Sequence, residues 1–202
     1  ARQGQFDEAS MSAEDSFRFK LTDEQRRIVA TVRDLTQSEF KPRGLQYMNG
    51  AFPWENIASL AKVGVLGMAV PQAYGGAAFG VFDTALVLEE IAKGCYVTAM
   101  AVLGEVGVQT RIIATYAPEA IKRRLLPSVC TGDCILAICM TEPHAGTDVA
   151  SYTTNTTVRG DTLRLKGVKT LVSRAEEAGA FVVFTRVNGQ PGRNGIGCVL
   201  VE

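Results

Sequence analysis

The sequence predicts an α+β protein: an N-terminal antiparallel α-helical domain followed by an antiparallel β domain. Three observations carry this. Up to about Pro127, apolar residues recur at helical spacing between capping and breaking residues. The helical segments are joined by short connections, which favours antiparallel neighbours. Beyond Pro127 the period changes to two and turn pairs appear. The expected divisions are a flexible tail over 1–18, a helical domain over 19–130 and a β domain over 131–202.

Taken in order, Thr22 and Gln25 have the spacing of a capping box. Ile28, Val29, Val32 and Leu35 follow on one helical face, and this helix should run to about Phe40, before Pro42. A second helix starts near Pro53 or Trp54, carries Ile57, Leu60 and Ala61, and stops at Gly64. Residues 65–80 are glycine-rich but hold Met68, Val70, Tyr74 and Phe79, so they read as a long ordered loop. Asp83 can cap a third helix over 84–93, ended by Gly94. Residues 97–116 are apolar on nearly every side, the pattern of a buried core helix. A fifth helix over 119–126 is stopped by Pro127, with Lys122, Arg123 and Arg124 on a solvated face.

Cys134 to Cys139 is a short apolar run bounded by turn signals, hence a buried strand. Residues 153–159 and 162–166 alternate around Gly160-Asp161, which makes a hairpin. Residues 168–173 read as the next strand, and Phe181 to Thr185 as a strand buried on both faces. Asn188-Gly189 is a turn pair before a last strand over 195–201.

Composition narrows the function. The 202 residues are 47% hydrophobic, as in a packed protein. Twenty-one basic and twenty-one acidic residues cancel, and no charge block suggests nucleic acid or an anionic membrane. No uninterrupted apolar run reaches the length of a membrane span. Five scattered cysteines and a single histidine, His144, give neither a disulfide framework nor a zinc pattern, so reduced thiols and a cytoplasmic location are expected, with no metal.

The stretch that carries chemistry is Met140-Thr141-Glu142-Pro143-His144-Ala145-Gly146-Thr147-Asp148, where the first strand gives out. Thr141 and Thr147 can each donate or accept a hydrogen bond. Gly146 lets a ligand approach the backbone. Such a loop suits an extended polar ligand, although loops of this composition also serve as plain connections.

This stretch resembles the flavin-binding signature of the acyl-CoA dehydrogenase family, an apolar strand running into T-E-P-x-A-G-S/T-D. Pro71-Gln72-Ala73-Tyr74-Gly75-Gly76 resembles the family's P-x-x-Y-G-G loop, and Leu88-Glu89-Glu90-Ile91-Ala92 its E-E-I/L-A helix. Leu165-Lys166-Gly167-Val168-Lys169-Thr170-Leu171-Val172-Ser173 resembles its L-x-G-x-K-x-W/L-I-T/S segment. The four matches stand in the family's order and cover most of the chain from about Phe19.

The resemblance implies a flavoprotein oxidoreductase of fatty acid and lipid metabolism, in which FAD takes two hydrogens from an acyl-CoA and a trans-2-enoyl-CoA forms. An electron-transfer flavoprotein would reoxidise the flavin. By the same resemblance, Met140 and Thr141 match positions at the flavin pyrimidine edge, and Ile138 a position beside the ring. Gly146 and Thr147 match positions near the pyrophosphate, Thr147 also near the CoA substrate. Leu171, Val172 and Ser173 match the segment along the other side of the ring. Leucine stands at 171 where many members carry tryptophan, and serine at 173 where threonine is commoner.

The family's catalytic glutamate comes from a C-terminal helical domain not found in these residues, so the resemblance assigns no catalytic residue here. It implies instead a partner chain or a longer parent carrying that domain, in a homo- or hetero-oligomer, and mitochondrial location if the source is eukaryotic. The chain by itself is expected to hold FAD weakly and to be inactive. A scaffold subunit of a heteromeric complex, or an oxidase or monooxygenase on the same fold, are the alternatives.

Overall fold

The computed structural model describes residues 20–202; the tail expected over 1–18 lies outside them. Helix α1 (Asp23–Leu35) starts at the capping box: the Gln25 N–H donates to Thr22 Oγ1 at 3.1 Å and the Thr22 N–H to Gln25 Oε1 at 2.9 Å. The helix does not end before Pro42. It passes through a π-turn (Thr36–Phe40) into α2 (Lys41–Arg43) and a 3-10 turn (Gly44–Asn49). The Lys41 N–H donates to the Thr36 carbonyl five residues back. The ladder has widened just where proline lacks a donor and its ring would crowd a carbonyl.

Helix α3 (Trp54–Lys62) is closed by Gly64 at φ 76, as expected. The segment 65–80 is an ordered connection with only a 3-10 turn at Gln72–Tyr74; Met68 and Val70 are fully buried in it. Helix α4 (Val81–Ala92) begins three residues earlier than predicted. Gly80 is its N-cap, and Asp83 reaches back from inside the first turn to accept the Gly80 N–H at 2.8 Å.

The apolar segment expected as one buried helix is α5 (Tyr96–Leu103), a π-turn (Gly104–Val108) and α6 (Gln109–Tyr116) in line. By length and composition alone Tyr96–Tyr116 could cross a bilayer. Ala99, Ala101, Val102, Val106 and Ile113 are instead packed in the protein core.

Helix α7 (Glu119–Thr131) continues through Pro127, where a stop was predicted, and is closed by Gly132 at φ 79. Leu126 and Val129 on either side are fully buried. Their burial, about 1.5–3 kcal/mol each, offsets the roughly 3 kcal/mol that proline costs a helix interior.

The sheet contains β1 (Ile135–Cys139), β2 (Asn155–Arg159), β3 (Thr162–Lys166), β4 (Ala178–Val187) and β5 (Ile196–Val201). The hairpins β2–β3 and β4–β5 are antiparallel, but β1 and β2 both run parallel to β4. The α+β class stands, with a mixed sheet in place of a purely antiparallel one. Parallel pairs join segments distant in sequence and so leave no turn signal to read. The expected strand over 168–173 is an irregular loop, with Leu171 at φ 56 and Arg174 at φ 63. Its valines and threonine favour a strand, but left-handed residues cannot stay in a ladder.

Two apolar clusters fill the interior. One gathers Val32, Phe40, Leu60, Leu66, Ile91 and Val102 with Ile135; the other gathers Val70, Leu126 and Val129 with Leu136 and Val182. Successive residues of β1 thus face opposite sides. Helices flank that strand on both sides and hold its end in place.

Candidate functional site

The site is built where β1 ends. Beyond Cys139 the chain leaves the sheet, and Glu142 and Ala145 exchange backbone hydrogen bonds of 2.9 and 3.1 Å around Pro143-His144. The Glu142 side chain turns inward and is almost fully buried. Its carboxylate accepts from the Thr153 N–H (2.8 Å), the Thr153 hydroxyl (2.9 Å), the Thr154 N–H (3.1 Å) and Lys169 Nζ (2.8 Å). Burial by itself would push the carboxyl up, but Lys169 and the threonine donors together hold it at about 2. Glu142 is therefore a fixed anion that braces the loop, not a base.

Lys169 does three things at once. Besides Glu142, its ammonium donates to the Met140 carbonyl at 2.8 Å and sits 3.8 Å from the centre of the Tyr152 ring. Beside it the Thr170 N–H donates to the Thr141 carbonyl at 2.9 Å. Residues 169–170 are thereby laid against residues 140–142.

The chain then arches over Leu171, Val172 and Ser173 and descends at Arg174. The Arg174 side chain is almost fully buried, and its Nη1 lies 2.5 Å from Glu105 Oε2 and 2.6 Å from the Ala101 carbonyl. Gln109, with its amide oriented to satisfy both groups, accepts from Arg174 Nη2 at 2.6 Å and donates to the Gly104 carbonyl at 3.0 Å. The other Glu105 oxygen accepts the Leu136 N–H of β1 at 2.8 Å. Burial pushes the Glu105 carboxyl up, against the pull of Arg174 and Leu136. The segment 171–173 is thus strung between two buried ion pairs, Lys169–Glu142 and Arg174–Glu105.

Of the residues predicted to touch the ligand, Met140 and Thr141 are bonded through their carbonyls to Lys169 and Thr170, next to which Leu171, Val172 and Ser173 follow, and Ile138 lies within β1 opposite Val182 of β4. Leu171 stands at the crown of the arch with 88% of its surface exposed. Gly146 and Thr147 lie on the far side of the turn closed by Glu142 and Ala145, and a Cβ at Gly146 would meet nothing within 4 Å. Among the described residues, the hydroxyls of Thr141, Thr147 and Ser173 have no protein hydrogen-bond partner. Three free hydroxyls beside open backbone fit a ligand with several oxygens and ring nitrogens.

His144 lies outside this arrangement; its Nε2 is 3.1 Å from the Ser151 carbonyl and 3.6 Å from Glu142 Oε2. Asp148 is used locally, accepting from the Ala150 N–H at 3.2 Å and from the Ser151 hydroxyl. All five cysteines are free thiols, and among the described residues no group of three His, Cys, Asp or Glu side chains could hold a metal.

Sequence reasoning missed Arg174 and Glu105. The signal was present in Glu105, a lone acid inside an otherwise apolar helical stretch, since a buried carboxylate requires a partner.

Comparison with known proteins places this geometry. Residues 22–133 match the family model described as acyl-CoA dehydrogenase, N-terminal domain, and residues 137–202 the model of the acyl-CoA dehydrogenase middle domain. Cyclohex-1-ene-1-carbonyl-CoA dehydrogenase of Geobacter metallireducens is 32% identical over 183 residues, which is 90% of this chain and 48% of that protein. The 3-sulfinopropanoyl-CoA desulfinase of Advenella mimigardefordensis is 32% identical over 187 residues, 90% of this chain and 45% of that protein. Butyryl-CoA dehydrogenase from Megasphaera elsdenii superposes with a TM-score of 0.84 at 27% identity, covering 92% of this chain and 50% of that structure. The chain spans about half the length of the relatives it matches.

Proposed function

The chain belongs to the acyl-CoA dehydrogenase family, and from that premise we propose that it forms one wall of an FAD site serving the α,β-dehydrogenation of an acyl-CoA thioester. The observation that carries this reading is the tie between residues 140–141 and 169–170, with the Thr141 hydroxyl at one segment and the Ser173 hydroxyl a few residues beyond the other both unpaired.

Bound FAD supplies the two-electron acceptor for the hydride that leaves the acyl β-carbon. The chain's own residues orient and polarise. Thr141 would offer its hydroxyl to the flavin where reduction adds negative charge; one preorganised donor in such a place is worth about 3–4 kcal/mol. Ser173 would offer a hydroxyl to the flavin, and Leu171 would cover it with an aliphatic group where many members carry tryptophan. Thr147 and the open backbone at Gly146 would receive the pyrophosphate, and Thr147 also the CoA portion of the substrate. Glu142 is already fully bonded and is not the base; the resemblance assigns the α-proton to a carboxylate of the family's C-terminal domain. Electron-transfer flavoprotein is the proposed acceptor of the electrons, within an oligomeric assembly.

The test uses the full-length protein. Reconstituted with FAD, it should be yellow, and anaerobic addition of acyl-CoA substrates should bleach it and yield enoyl-CoA. Thr141→Val combined with Ser173→Ala should lower flavin content and slow bleaching. Unchanged flavin content and turnover in that double variant would overturn the assignment. Peroxide released at the rate of turnover in air would replace the dehydrogenase reading by an oxidase.

A further inference from the structure

We propose that Arg174 is a positioning residue for the flavin-side arch, setting the distance between residues 171–173 and the end of β1 through Glu105. This rests on the flavin reading above and deepens it. Three separate elements converge on one carboxylate: the π-turn that contributes Glu105, the Leu136 N–H of β1, and Arg174 at the foot of the arch. Leu136 lies two residues before Ile138 and four before Met140, so a shift of Glu105 is passed to the end of β1 through the Leu136 N–H.

The helix is shaped to admit the guanidinium. Gly104 opens the π-turn, and a Cβ there would fall inside the Arg174 guanidinium. Arg174 Nη1 also takes the Ala101 carbonyl, at the place where the helical ladder changes spacing. Gln109, at the far end of the same turn, takes Nη2. The backbone is shaped as well: Leu171 and Arg174 both adopt positive φ, so the chain reverses twice within four residues. Those two reversals leave Leu171 out in the open while Arg174 enters the helical domain.

Stability alone gives no reason for such a pair. Buried ion pairs are often no better than well-packed apolar residues of equal volume, whereas their direction and length are tightly specified. The Lys169 and Thr170 contacts hold the other foot of the arch. Three residues between two fixed ends have little freedom, and this is the condition for holding a hydroxyl at one position against a flavin.

The experiment compares Arg174→Met, Arg174→Lys and Arg33→Met in the full-length holoprotein. Arg33 pairs with buried Glu90 between α1 and α4 and serves as a control for the loss of an ion pair elsewhere in the helical domain. Arg174→Met should keep its flavin but reduce it roughly ten- to a hundredfold more slowly at saturating acyl-CoA, the scale that displacing reactants by about 1 Å produces. Arg174→Lys should recover part of this rate, since an ammonium reaches Glu105 but lacks the fork for Gln109. Arg33→Met should lower the melting temperature only.

A second readout needs no flavin. In apo protein, Arg174→Met should speed amide exchange in both 170–177 and 135–141, while α1 exchanges as before. Glu105→Gln, which keeps the shape, replaces Arg174→Met if that variant does not fold, and should show the same paired change. Faster exchange in 170–177 with 135–141 untouched would overturn the coupling. So would a flavin-reduction rate within about twofold of wild type in Arg174→Met, since a true displacement acts more strongly. A full-length protein that binds no flavin but shows the paired exchange would sink the flavin reading and leave the coupling standing.

Discussion

Glu142→Gln is the perturbation with the most decisive consequence. The carboxylate is almost fully buried, accepts four hydrogen bonds and is held at about 2 against an ordinary value of 4.5. At roughly 1.4 kcal/mol per pH unit, that displacement corresponds to about 3 kcal/mol of preference for the charged form in the folded protein. Glutamine has nearly the same volume but offers one acceptor and two donors to a site lined by donors, so its amide N–H groups face Lys169 and the threonines unpaired.

A carboxyl held below its ordinary value adds stability that is complete above about pH 4.5 and is withdrawn as pH falls toward 2. The deficit of Glu142→Gln should therefore be full at neutral pH and close on acidification. Amide exchange reads it locally, at the Thr153, Thr154 and Thr170 N–H groups that close the loop. At neutral pH their protection should drop about a hundredfold, the equivalent of roughly 3 kcal/mol of local opening. Protection equal to wild type, or a deficit that stays constant down to pH 3, would refute the view of Glu142 as the anionic brace of the loop.

Three further outcomes follow from the same geometry. Gly104→Ala should destabilise the protein by about 3–5 kcal/mol in denaturant unfolding, because it expels Arg174 and leaves Glu105 buried without its counterion; the same change in an ordinary helix interior stabilises by about 1 kcal/mol. Leu171→Gly should leave thermal stability unchanged or raise it by up to about 1 kcal/mol, since φ 56 is unfavourable for leucine and the side chain is exposed, while flavin affinity falls. Thr141→Val should alter stability by less than about 0.5 kcal/mol, its hydroxyl having no protein partner, yet slow flavin reduction about a hundredfold or more.

What the sequence disclosed was local. The Thr22–Gln25 box, the Gly64 helix end and the hairpin at Gly160-Asp161 each involve residues within a few positions of one another, and each formed where a backbone requirement is written in the residue type. The two prolines misled because their penalty was weighed without the rest: a π-turn absorbs Pro42, and Leu126 and Val129 hold α7 together across Pro127. The parallel pairing of β1 with β4 joins Ile135 to Ala178 and carries no short-range sign.

At the site, the loop at 168–173 passed for a strand because residue type does not disclose the positive φ of Leu171. Arg174 and Glu105 are 69 positions apart, and only folding makes them a pair.

The arch has a consequence for how this scaffold can diversify. Its supports and its summit are different residues: Lys169, Glu142, Arg174 and Glu105 carry the backbone, while Leu171 contributes almost nothing to packing. Substitutions at the summit can therefore be sampled without endangering the architecture, and changes at the supports cannot. New chemistries on this frame would be sought first by exchanging the three spanning residues as a cassette.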